Sequence, residues 1–289
     1  MKLSLHSDFC ELLLHSRDDG GMCSRQLCQH PAFQAAKRHA QDFNRTSFTN
    51  EDYLDELLHI NGFDILARGS ELRRNIECIR RTDLEKVVSQ VAHYLPAECI
   101  KAQSVHIHLL PGIGGLALDG MILLDPAPCP WYPCDGSDAG RYLEQFILPT
   151  MRHELHHVCY RTLRKDVAIS DIKTKKLLAE DYLLQLQMEG SAVMCESLCR
   201  KPYIASDENI ALNAMLKSSF SQVIAWLDSP NGAIDADDWT KYYALWGENK
   251  LAYLLGEFAF KKMLKRDIPV SEAIRMSPME WFEKVKACI

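Results

Sequence analysis

The sequence predicts a mainly α-helical protein with a small β-sheet, an α+β fold. Three observations lead there. Apolar residues recur at three- and four-residue spacing over most of the 289 positions. Period-two alternation is confined to short runs near residues 104–125. Proline- and glycine-rich punctuation separates that region from the helical stretches around it.

Residues 1–95 read as a helical N-terminal subdomain. The runs ELLLHS, FQAAKRHAQDF, EDYLDELLHI and TDLEKVVSQVAHYL each carry one apolar face. Thr49 and Asn50, and later Asp83, supply helix-start side chains. Residues 96–289 form the second predicted domain. It begins with a small sheet over 100–128, built from Ser104–Leu110 and Gly120–Asp125 around a hairpin turn holding Gly112, Gly114 and Gly115. Those glycines lack the G-x-G-x-x-G or G-K-[ST] context of a phosphate loop. Alternation places His106 and His108 on one strand face and Val105, Ile107 and Leu109 on the other. The segment PAPCPWYPCDGSD (126–138) is a loop. A helix follows near 150–165, started or kinked at Pro149, then another near 176–200, and C-terminal helices over 212–289. KTKK (173–176) and the acidic DADD (235–238) read as solvated positions.

Composition excludes several classes. Hydrophobic content of 47% and charged content of 25% fit a globular domain, and a net charge of −6 without a basic cluster argues against a nucleic-acid partner. No run reaches the roughly 18 apolar residues of a membrane span. His6, Asp8 and Glu11 interrupt any apolar core of a signal peptide. The 11 cysteines include no C-x-x-C pair, so reduced thiols in the cytoplasm are expected. Cys129/Cys134 and Cys195/Cys199 match no standard zinc spacing.

The chemistry concentrates in MRHELHHVCY (151–160). On a helix His153 and His157 project from one face, one turn apart, which suits two imidazoles meeting one zinc ion. Glu154 is turned about 100° from His153 and is placed as a general base rather than a ligand. His156 lies about 60° the other way and flanks the pair. A catalytic zinc needs a third ligand and an open position for water. Glu189, in the apolar run LQMEGSAVMCESL, is the candidate, because a carboxylate there needs a partner. Glu196 on the same helix is the runner-up, as ligand or as a group orienting an imidazole. Gly190 and Ala192 would let this helix approach the histidine helix closely.

His153-Glu154-x-His156-His157 followed by Glu189-Gly190-x-Ala192 resembles the gluzincin metallopeptidases, above all a little-studied bacterial branch of zinc-dependent peptidases. The resemblance covers roughly residues 100–265 and implies a zincin-like core, a Zn2+ cofactor and a peptide or protein substrate. It implies that the edge strand of a small sheet lines the substrate cleft. It also points to Tyr253, in a Y-x-x-G pattern, as donor to the developing oxyanion. Tyr242, Tyr243, His106 and His108 are the substitutes. One departure is Val193, which stands where many gluzincins carry an acidic residue buttressing a histidine. The alternative function is a non-hydrolytic zinc-containing binding or regulatory protein, for which Glu154 would have no use.

Overall fold

The computed structural model describes residues 3–18, 24–44, 47–58, 69–96, 99, 103–110, 114–118, 120–127, 139–164, 171–196, 210–247 and 250–289. The fold is mainly α with one small sheet. The chain divides into two compact units, one of Met1–Ser89 with Lys101–Val158, the other of Gln90–Ile100 with Cys159–Ile289.

The first unit holds the sheet and the helices α1 (Asp8–Asp18), α2 (Ser24–Gln29), α3 (Pro31–Asn44), α4 (Asn50–Leu58), α5 (Gly69–Arg80) and most of α6 (Leu84–Ala92). Its strands are β1 (Leu3–His6), β2 (Gln103–Ile107), β3 (Gly115–Leu118) and β4 (Met121–Leu124), in the order β1-β2-β4-β3. β1 pairs parallel with β2, β2 parallel with β4, and β3 antiparallel with β4. Leu5, Val105, Ile122 and Ala117 lie in one register row, and the last three of these are buried.

Two expectations change here. The N-terminal region is not purely helical, because Leu3–His6 forms an edge strand on β2. Nor do Ser104–Leu110 and Gly120–Asp125 make a hairpin, since β2 and β4 run parallel. The hairpin is β3–β4, and it turns at Gly120, whose φ of +75° favours glycine. Gly115 opens a strand instead of forming a turn, and Gly112 lies outside the described residues. Of the expected loop at 126–138, only residues 126–127 are described.

The buried His108 stacks on Phe9 with ring centroids 4.0 Å apart, and its Nδ1 is 2.6 Å from Leu109 O. Burial pushes its pKa down to about 3, so it is a neutral core residue at pH 7. Asp125 is also buried. It accepts hydrogen bonds from the backbone N–H groups of Leu110 and Ala127, and burial pushes its pKa up to about 8 despite them. His6 and His106 are cross-strand partners with stacked rings 4.7 Å apart.

Helix α7 (Ala139–Tyr142) runs through a π-turn, Leu143–Ile147, into α8 (Leu148–Tyr160). Leu148 N–H donates to Leu143 O, and Pro149 has no N–H with which to continue the ordinary ladder.

The second unit is built around α9 (Lys175–Glu196), buried at every position from Asp181 to Glu196. It packs extensively against α12 (Leu251–Leu264), and α10 (Ile210–Leu227) and α14 (Pro278–Lys286) lie against it too. Short helices α11 (Ala236–Tyr243) and α13 (Val270–Ala273) complete the unit. The DADD stretch is not simply solvated. Asp235 caps α11, while Asp238 is buried, accepts from Trp226 Nε1 at 2.7 Å and pairs with Lys175 Nζ at 2.9 Å. One lysine of KTKK is therefore tied to that acidic turn. Among the described residues no helix is long and apolar enough to cross a membrane.

Candidate active site

Helix α8 brings His153 and His157 together as their i, i+4 spacing requires. Both are buried, their Nε2 atoms stand 2.8 Å apart, and the rings meet edge to face with centroids 4.4 Å apart. Met151, Leu155 and Val158 are buried on the same helix and anchor it. His156 is fully buried, its ring centred 5.9 Å from that of His157.

Glu154 is partly exposed on the same helix. Its neighbour is Gly115, one of the glycines expected in a turn. A Cβ on Gly115 would stand 2.5 Å from Thr150 Cγ2, 2.8 Å from Glu154 Cγ and 3.3 Å from Glu154 Oε1. The first residue of edge strand β3 therefore lies directly against the turn of α8 that carries Glu154. Gly114 likewise leaves no room for a side chain beside the Phe146 ring.

Glu189 sits in the buried run of α9. His153, His157 and Glu189 offer ligand atoms that all lie within 4.8 Å of one another. No other such group occurs among the described residues, and Glu196, though buried, does not join this one. Two imidazole nitrogens and a carboxylate oxygen, buried and convergent, make a donor set of the kind that holds catalytic zinc with one position left for water. The chain thus carries a His-His-Glu group that could bind a metal.

The tyrosine candidates differ sharply. Tyr242 is buried and its hydroxyl donates to Asp181 Oδ2 at 2.5 Å, which commits it to the core. Tyr243 is 42% exposed and stacks on Trp239. Tyr253 is partly exposed near the start of α12, with Lys250 Nζ 5.6 Å from its ring centre and Trp246 edge-on at 6.5 Å. His108 is locked in the core, and His106 Nε2 lies 3.1 Å from Ser104 Oγ. Cys10, Cys28, Cys78, Cys99, Cys159, Cys195 and Cys288 are in no disulfide among the described residues, and Cys23, Cys129, Cys134 and Cys199 lie outside those residues.

Residues 24–258 match the model of a family described as "Putative zinc dependent peptidase (DUF5700)". The chain belongs to this family. The matched span of the DUF5700 model holds α8, α9 and α12 as far as Phe258, and so every candidate site residue. No curated protein and no solved structure matches the chain.

Two glycines shape this region without a distinctive signal in the sequence. Gly115 was visible as part of a glycine cluster, but a turn explained it equally well. Gly256 was visible only as the last letter of Y-x-x-G. The closeness attributed to Gly190 is directed at α12, where Gly190 meets Gly256.

Proposed function

We propose that the chain is a zinc metallopeptidase of the gluzincin type, in which His153, His157 and Glu189 hold the metal and Glu154 is the general base. The observation that carries this reading is the buried His-His-Glu group with a partly exposed glutamate beside its first histidine. Zinc bound there would lower the pKa of a coordinated water towards about 7 and polarise a peptide carbonyl.

The chain's own residues supply the rest. Glu154 takes the proton of the attacking water and hands it to the leaving amine, so the peptide C–N bond breaks without releasing a free amide anion. Tyr253 is the side chain we assign to donate a hydrogen bond to the developing oxyanion. Its partial exposure supports that role over Tyr242, whose hydroxyl is already used. An extended peptide is the substrate class that suits an edge strand, and β3 begins beside Glu154. Eleven cysteines without a C-x-x-C pair fit a reducing, cytoplasmic setting.

A Glu154→Gln variant tests the reading. It should keep zinc and lose hydrolysis of a mixed peptide pool by roughly 10²–10⁴-fold, the usual contribution of a positioned general base. Full activity would remove Glu154 from the mechanism. A native protein that binds zinc and cleaves no peptide would favour the non-hydrolytic alternative.

A further inference from the structure

Helices α9 and α12 meet backbone to backbone. A Cβ on Gly190 would stand 2.5 Å from Gly256 Cα and 2.6 Å from Gly256 O. A Cβ on Gly256 would stand 2.6 Å from Gly190 Cα and 2.7 Å from Gly190 N. Nothing at this crossing can rotate aside, because the atoms met are main chain on both helices. Ala252 and Ala259 extend the small face of α12 one turn either way, and both are fully buried. Glu189 is the residue next to Gly190, on a helix enclosed on every side.

We infer that the Gly190–Gly256 contact positions Glu189 for the metal and that both glycines act as positioning residues. The inference rests on the assignment of Glu189 as a ligand. Magnitudes decide the matter. Carbon atoms ordinarily pack at about 3.5 Å, so a methyl group at either glycine must part the helices by roughly 1 Å. Metal–ligand distances tolerate only about 0.2 Å. The Glu189 side chain can follow part of such a shift, at the cost of leaving its preferred rotamer. Backbone contact therefore sets the ligand's depth in a way that repacking side chains cannot restore. The same contact places Tyr253 one turn of α12, about 4.5 Å along its axis, from the residue that touches Gly190.

The test measures zinc affinity by competition with a chromophoric chelator, alongside the thermal midpoint. Gly256→Ala and Gly190→Ala should each bind zinc about 10–100-fold more weakly, as when groups that orient ligands are removed. Phe220→Leu, in the same unit but on α10 against Phe282, should lower the midpoint and leave zinc affinity unchanged. Native-like affinity in Gly256→Ala, or an equal loss in Phe220→Leu at a matched midpoint, overturns the proposal. Should neither glycine variant fold, Ala259→Val widens the same face one turn away from the backbone crossing and must still weaken zinc several-fold; unchanged affinity refutes the idea. Glu189→Gln separates the two levels. If it keeps native zinc affinity, the ligand assignment itself fails, whereas its loss with intact binding in the glycine variants sinks only the positioning role.

Discussion

Each unit of the molecule uses glycine to bring elements close, but the two contacts differ in kind. In the sheet-bearing unit Gly115 faces the side chains of Thr150 and Glu154, which have rotatable bonds. In the helical unit Gly190 and Gly256 face each other's main chain. A side chain added at the first contact can be accommodated by a rotamer change near the proposed base. One added at the second must move a whole helix. On the proposed reading the first contact tunes where the proposed base points, and the second where the proposed ligand stands.

The contrast can be broken by substitution. Gly256→Ala and Gly190→Ala should each destabilise the protein by about 2–3 kcal/mol, the upper part of the range for overpacking, read from chemical denaturation. A loss below that of Gly115→Ala would erase the distinction. Next in size is Asp238→Asn, which weakens the charged bonds to Lys175 and Trp226 and should cost about 1–2 kcal/mol at pH 7. Burial alone would raise the Asp238 pKa, but the Lys175, Asp235 and Trp226 bonds outweigh it and hold it below the usual range. Its stabilisation is therefore present above the ordinary carboxylate pKa of 3.8 and fades as pH falls through the lower folded value. The variant's penalty should shrink at acid pH.

Gly115→Ala should cost less than about 1 kcal/mol, because side chains can yield. Its signature is kinetic. Displacing Glu154 should lower kcat about tenfold with zinc content unchanged, since small misplacements of a reacting group are expensive. The smallest effect at pH 7 belongs to His108→Phe, which keeps an aromatic ring against Phe9. His108 is held neutral down to about pH 3, while the unfolded chain takes up its proton near the ordinary value of 6.5. The native protein therefore loses about 1.4 kcal/mol per pH unit from this group as pH falls below that value. The variant should show a flatter acid limb in a pH series of denaturation curves, and an unchanged slope would show that His108 titrates normally.

The parts of this architecture legible in the sequence are those written locally. The helical stripes, the facing pair His153 and His157, and a glutamate embedded in an apolar helix all follow from periodicity within one element. The illegible parts depend on partners far along the chain. Leu3–His6 is too short to read as a strand until β2 is beside it, about a hundred residues later. Parallel pairing of β2 with β4 and a hairpin between them demand the same alternation of side chains, so the pattern cannot choose. Asp238 lies in an acidic run, and only Trp226 and Lys175 reveal it as a buried junction. Gly190 announced a close approach without naming α12 as its object.

Anomalous scattering at the zinc edge from crystals of the zinc-loaded protein shows directly whether the metal centre exists. One zinc per chain is expected, bound by the Nε2 atoms of His153 and His157 and a carboxylate oxygen of Glu189. A peak on other side chains, or less than about half an equivalent of zinc retained at this site, would contradict it.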